Sequence, residues 1–263
     1  MAFRFWQDLT SPHFGALDAD RTVAVLPLCA TEQHGPHLPT GTDTMIAQGL
    51  IGEVAGRFKG DFDLVFLPAL AIGASQEHAR FAGTISVSTP ALIEQISAIG
   101  AQVAASGLKK LVLVSSHGGN VAAMNAAALA CREQHGLLAV TLTWSRLGLP
   151  EGVVDADERA IGIHGGFVET SLMLHFRPDL VQMDKAADFA SLQADLAGRF
   201  EHLRAHGPVG FGWLAGDLNP SGALGNAAAA NAAAGRDICA HQADAFITLA
   251  GEISQFDLAS HFT

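Results

Sequence analysis

Leu111-Val112-Leu113-Val114-Ser115-Ser116, followed directly by His117-Gly118-Gly119-Asn120 and an alanine-rich run from Val121 to His135, decides the fold. The apolar run has strand length and lacks the polar alternation of a half-exposed sheet, so it reads as a strand covered on both faces. Before it, Thr89-Pro90 opens a helix: Thr89 can cap, Pro90 fits the first turn, and Leu92, Ile93, Ile96, Ile99 and Val103 recur at helical spacing until Gly107. After it, Leu137 to Trp144 is another strand. Further out, Val23–Ala30 and Leu64–Leu70 are apolar runs of strand length, and a helix from about Thr44 to Phe58 lies between them. Strand and helix alternate, which predicts a three-layer α/β/α sandwich with a mainly parallel central sheet. Residues 1–20 read as an irregular lead-in and 207–225 as a long glycine-rich loop. Residues from about 226 to 256 read as an alanine-rich helix that Gly235 could interrupt. Neither a repeat nor a linker divides the chain, so a single domain over 1–263 is expected.

Composition narrows the function. Hydrophobic residues make up 49% of the chain and charged residues 16%, the balance of a compact globule. The net charge of −11, with no basic stripe, argues against nucleic acid or an anionic membrane as partner. No signal peptide or bilayer-length apolar run is visible, and Cys29, Cys131 and Cys239 are widely spaced, so a cytoplasmic protein with reduced thiols is expected. The low charged fraction suits a homo-oligomer. Tyrosine is absent, which leaves histidine and carboxylates for acid–base work.

The loops that follow the strands carry those residues. After Val23–Ala30 comes Thr31-Glu32-Gln33-His34-Gly35-Pro36-His37-Leu38-Pro39-Thr40-Gly41-Thr42-Asp43. In an extended segment Glu32 and His34 project together, and Asp43 can return to them from the start of the next helix. Open α/β sheets bind ligands in such loops. Glu32, His34, Asp43, His117 and Glu169 supply the inventory of a dinuclear hydrolytic site, which needs several carboxylates and imidazoles, one carboxylate bridging, and an open position for water. Taken singly, each has a structural alternative: Asp43 and Ser75 as helix caps, His117 in a tight turn, Glu169 as a helix-start carboxylate.

The chain resembles the creatininase (creatinine amidohydrolase) family in Thr31–Pro39 with Gly41-Thr42-Asp43, in Ser75-Gln76-Glu77-His78 with Gly83-Thr84-Ile85-Ser86, in Ser116–Asn120, and in His164-Gly165-Gly166-Phe167-Val168-Glu169-Thr170-Ser171. The resemblance implies a creatininase-like α/β/α fold, a metal-dependent amidohydrolase and assembly as a homo-oligomer, often a hexamer. It implies two divalent metal ions per chain, zinc first, with manganese or iron as alternatives. By motif position Glu32 and His117 would hold one ion, His34 the other, and Asp43 would bridge them. Creatininase has a further metal-binding Glu two residues after its metal-binding His, where this chain has Gly119; Glu169 is the candidate replacement. Creatininase also has a Glu directly before its catalytic His, where this chain has Ile163.

The expected reaction is hydrolysis of an amide or lactam C–N bond of a small molecule by a metal-activated water. His164 is the expected catalytic proton shuttle, with Glu77 beside it. The amides of Gly118, Gly119 and Asn120 could face a developing oxyanion, and Ser75 could position substrate. Alternatives are a related metal-dependent hydrolase acting on a peptide, formamide or cyclic ketone, or a non-catalytic metal-dependent binding protein. Ser116 and Cys29 lack a nucleophile-elbow pattern.

Overall fold

A computed structural model describes residues 2–261. Five parallel strands form the central sheet: β1 (Phe3–Phe5), β2 (Val23–Leu28), β3 (Leu64–Phe66), β4 (Lys110–Ser115) and β5 (Leu138–Thr143), in the spatial order β1-β3-β2-β4-β5. The helices that pack on the sheet or border the site are α1 (Thr42–Arg57), α2 (Thr89–Ala105), α3 (Val121–His135), the short α4 (Ala156–Ile161), α5 (Phe167–Phe176) and the long α6 (Ala232–Gln255), and a further helix spans Leu192–Arg199.

β2, β3 and β4 are buried on both faces, the outer strands β1 and β5 only partly, and alternate side chains of the inner strands separate into two cores. Val23, Val25, Val112 and Val114 pack with Ile46 and Leu50 of α1, Leu172 of α5 and Phe246 of α6. Ala24, Leu26, Leu111 and Leu113 pack with Leu92 and Ile96 of α2 and with Ala123 and Met124 of α3. This period-two division across one sheet produces the three layers. At about 1.5–3 kcal/mol for each fully buried large aliphatic side chain, the two cores dominate the stability.

Several boundaries differ from the sequence reading. The lead-in contains β1, an edge strand of three residues, too short to show a pattern. Leu64–Leu70 forms a strand only to Phe66, because Pro68 has no N–H for the ladder; Leu70 touches Leu28 through an isolated bridge. Ser88 rather than Thr89 caps α2, accepting from Ala91 N at 3.4 Å. The glycine-rich segment contains the one-turn helix Ala215–Leu218 and the two-residue strand Gly225–Asn226. The tail helix starts later, at Ala232, where Asn231 accepts from Ala234 N, and it runs uninterrupted through Gly235. A Cβ at Gly235 would collide with the Ser171 carbonyl of α5, so the residue that costs helix propensity is what lets the two helices approach.

The strand order places a topological switch point between β2 and β4, since the chain passes from β2 to β3 on one side and then to β4 on the other. Sheets of this kind bind ligands in the crevice beyond the carboxyl ends at that point. The segments leaving β2, β3, β4 and β5 all open there.

Candidate metal centre

Glu32 and His34 leave β2, Asp43 lies in the first turn of α1, His117 follows β4, and Glu169 lies in the first turn of α5. Glu32 and His34 are fully buried, Asp43 is 1% exposed and His117 5%. His117 Nδ1 is 3.0 Å from Glu32 Oε1 and 4.0 Å from Asp43 Oδ2. His34 Nε2 is 3.7 Å from Asp43 Oδ1, 3.8 Å from Glu169 Oε2 and 4.0 Å from Glu32 Oε1. The two oxygens of Asp43 therefore face two different histidines.

Backbone carbonyls determine which ring nitrogen faces inward. His34 Nδ1–H donates to the Glu32 carbonyl at 3.0 Å, and His117 Nε2–H donates to the Ala74 carbonyl at 3.0 Å. A carbonyl only accepts, so the lone pairs of His34 Nε2 and His117 Nδ1 point at the carboxylates, the arrangement in which metal-bound histidines are usually held. Both oxygens of Glu32, His34 Nε2 and Asp43 Oδ2 are buried and have no hydrogen-bond partner among the described residues. Orphaned buried polar atoms are costly, and here they converge on one spot. Ligand atoms of Glu32, Asp43 and His117, of His34, Asp43 and Glu169, and of Glu32, His34 and His164 form three groups that could each hold a cation. Imidazole and carboxylate donors without a thiolate fit zinc or manganese.

The electrostatics of the metal-free chain express the same crowding. Burial works against charge on His34 and His117, yet the carboxylates around them push each imidazole up to about 10. Burial would raise Glu32, but His117, then His164 and His34, hold it well below the usual carboxylate range. Glu169 is pushed up to about 7, first by burial. Three carboxylates share this centre and favour the protonated form of the two histidines between them.

His164 lies against the centre in its neutral form, because burial and then His34 and His78 hold it well below its ordinary value. Its Nε2–H donates to the Gln33 carbonyl at 2.6 Å, leaving Nδ1 free, 3.6 Å from Glu32 Oε1. The ring is sandwiched between His34 and His78, with centroids 4.2 Å away on each side. Gln33 Nε2 donates to the Gly222 carbonyl and to His78 Nδ1, so His78 carries its proton on Nε2, 3.6 Å from Glu32. Both His78 and Gln33 stand inside motifs that the sequence reading quotes, but it assigns neither a role; for Gln33 a polar residue between two ligand candidates was the available signal.

Glu77 Oε1 is 3.5 Å from His117 Nε2, on the ring edge opposite Glu32. Ser75 is fully buried, with Oγ 3.3 Å from the same nitrogen. Asn120 is also fully buried; its side chain accepts from Ala74 N and donates to the Cys29 carbonyl. Gly119 leaves no room for a side chain, since a Cβ would meet Glu77 Oε1, His117 Nε2 and the Ala74 carbonyl. Cys29 is a core thiol, raised to about 12 first by burial.

A cavity of about 480 Å³ opens beside the centre, lined by His164, Glu169, Gly118, Trp144, Arg146 and Arg159 among others. A second, of about 400 Å³, is lined by Glu77, Trp213 and Asp217.

The profile of the creatininase family, described as creatinine amidohydrolase, matches residues 7–250. The chain belongs to the creatininase family. A relative within it, the mycofactocin precursor peptide peptidase of Mycolicibacterium smegmatis, is 38% identical over 220 residues, covering 83% of this chain and 80% of that protein. The creatinine amidohydrolase of Pseudomonas putida is 31% identical over 186 residues, 63% of this chain and 68% of that one. A mutant creatininase complexed with creatine superposes with a TM-score of 0.78 at 25% identity, over 96% of this chain and 99% of that one. Creatininases in a Zn-Zn form and a Mn form superpose with TM-scores of 0.74 and 0.73, each at 25% identity over 94% of this chain and 97% of theirs. The creatininase-like α/β/α architecture expected from the sequence is thus the observed one.

Proposed function

We propose that this creatininase-family protein is a metal-dependent amidohydrolase that cleaves an amide or lactam C–N bond of a small molecule. The observation that carries the reading is the convergence of unpartnered buried atoms from Glu32, His34 and Asp43 on the inward lone pair of His117. Glu32, His117 and one oxygen of Asp43 would hold one divalent ion; His34, Glu169 and the other oxygen would hold a second. The two oxygens of Asp43, each facing a different histidine, support two ions rather than one. Zinc is the first choice and manganese the second, in line with the forms in which creatininases have been solved. When bound, such ions lower the pKa of a water and polarise the amide carbonyl.

The remaining chemistry belongs to the chain. His164, neutral and with its free Nδ1 facing the centre 3.6 Å from Glu32 Oε1, takes the proton of the attacking water and delivers it to the departing nitrogen. The C–N bond breaks, a C–O bond forms, and an acid and an amine leave. Glu77 and Ser75 hold His117 in its ring orientation, and Asn120 braces the loops after β2 and β3. The amide of Gly118, a residue of the cavity wall, would face the carbonyl oxygen.

A peptide bond is the second reading of the substrate, favoured by the mycobacterial relatives at 36–38% identity that are named peptide peptidases. We also read the chain as one domain that acts in the cytoplasm as a homo-oligomer. Three unpaired buried cysteines and the exposed apolar side chains Phe200, Leu203, Val209 and Phe211 support this. No helix among the described residues is long and apolar enough to cross a membrane. The test of the catalytic assignment is His164→Asn. Turnover of a panel of small amides and lactams should fall at least about a hundredfold while metal content stays at the wild-type level. Loss of metal in parallel would make His164 a ligand, and a metal-loaded wild type that turns over no amide would overturn the reading.

A further inference from the structure

The larger cavity has a cationic mouth in an acidic protein. The chain carries 26 acidic and 15 basic side chains, yet Arg146 and Arg159 both line this cavity. Arg146, on the exposed turn that leaves β5, makes no hydrogen bond or ion pair among the described residues. Arg159 uses only Nε, which donates to the Val154 carbonyl at 3.0 Å, and its terminal amino groups are without a described partner. The carboxylates of the same wall are directed to other partners and pair with neither arginine among the described residues. Glu158 accepts from Phe167 N and Asn226 N, both at 2.8 Å, and Glu169 accepts from Gly165 N and faces His34. Elsewhere arginines are mostly paired, as Arg57 is with Glu53 and Asp244 and Arg177 with Asp179. Deeper in the wall Trp144 Nε1 and Ser116 Oγ are buried donors with no described partner, and Gln242 Oε1 is a matching buried acceptor.

We propose that Arg146, assisted by Arg159, selects amides whose leaving amine carries a free carboxylate, so that the departing group is an amino acid or a short peptide ending in this cavity. The inference rests on the amidohydrolase reading above. His164 lines the same cavity, and the nitrogen that receives its proton must lie beside it; the leaving group therefore extends along this wall toward the arginines. A guanidinium meets a carboxylate through two parallel hydrogen bonds, which gives direction as well as affinity. The unpartnered donors and acceptor of the wall suit the carbonyl oxygens and N–H groups of such a group.

The test uses the metal-loaded full chain and matched substrates: N-acyl amino acids and N-acyl dipeptides as free acids, the same compounds with the terminal carboxylate converted to carboxamide, and neutral small amides and lactams. The free acids should be preferred. Arg146→Gln should raise KM for the acids by about tenfold to a hundredfold with little change in kcat, leave the carboxamides unaffected, and so erase the preference. Arg146→Lys should restore part of it. Equal turnover of acids and carboxamides, turnover of the neutral amides alone, or a preference that survives Arg146→Gln would overturn the proposal and leave the amidohydrolase reading standing. Failure to turn over any amide would overturn both.

Discussion

Replacing Gly119 by glutamate restores the residue that creatininase has at this position, and the structure predicts that the restoration fails. A Cβ there lies 2.5 Å from the Ala74 carbonyl oxygen and closer still to Glu77 Oε1 and His117 Nε2. The Ala74 carbonyl is backbone and already accepts the His117 Nε2–H, so it cannot move without turning the histidine. Overpacking of this kind costs about 1–3 kcal/mol. A new buried carboxylate beside Glu77, with no donor to receive, adds about the same again or more. A total near 4 kcal/mol lowers Tm by about 8–16 °C at this chain length. Gly119→Ala separates the two contributions, because it adds only the collision. The assay is thermal unfolding of the three proteins with and without zinc, together with metal content. The Gly119→Glu protein should melt well below Gly119→Ala and hold less metal, and Glu77→Ala should rescue it only in part because the Ala74 collision remains. A Gly119→Glu protein with wild-type Tm and equal or higher metal content would refute the reasoning.

Other outcomes follow from the same geometry. In the metal-free protein His34 and His117 are raised from about 6.5 in the unfolded chain to about 10, so their stabilising contribution is full below pH 6.5 and is lost as pH rises toward 10. Thermal melts of chelated protein should therefore drop across that window, whereas zinc-saturated protein, whose histidines are already deprotonated, should not follow the trend. Zinc binding near pH 7 should release about two protons, read by calorimetry in buffers of different ionisation enthalpy; release of none would contradict the assignment of both histidines as ligands. Gln33→Ala removes the donor to His78 Nδ1 and the tie to Gly222, and should lower kcat more than tenfold with metal affinity changed less; an unchanged kcat would show that this clasp positions nothing. Gly235→Val should cost more than about 3 kcal/mol, seen as a lowered denaturation midpoint, because α6 must leave α5.

The sheet and its two helical layers were legible because β2 and β4 are continuous apolar runs and the helices keep their period and caps. β1 was not: three residues, Phe3-Arg4-Phe5, carry no periodicity, and only the edge of β3 makes them a strand. Gly235 misled for a related reason, since local propensity marks it as a break whereas packing against Ser171 makes it a contact. In the site, residue type and loop position after strands sufficed to nominate Glu32, His34, Asp43, His117 and Glu169, which the fold brings together around Asp43. What no sequence pattern encodes is the set of backbone carbonyls, from Glu32, Ala74 and Gln33, that decides which nitrogen of each histidine faces inward. Arg146 and Arg159 were invisible for the opposite reason: they lie on exposed segments with no motif, and only the cavity gives them a meaning.

The most direct measurement is the metal content of the protein purified without added metal, beside Asp43→Ala, with amide turnover measured before chelation, after it, and after zinc or manganese is returned. The account predicts about two divalent ions per chain in the native protein, a sharp fall in the variant, and turnover that disappears on chelation and returns with metal. A native protein that holds no metal and cannot be loaded, or an Asp43→Ala protein that keeps its full complement, would contradict it.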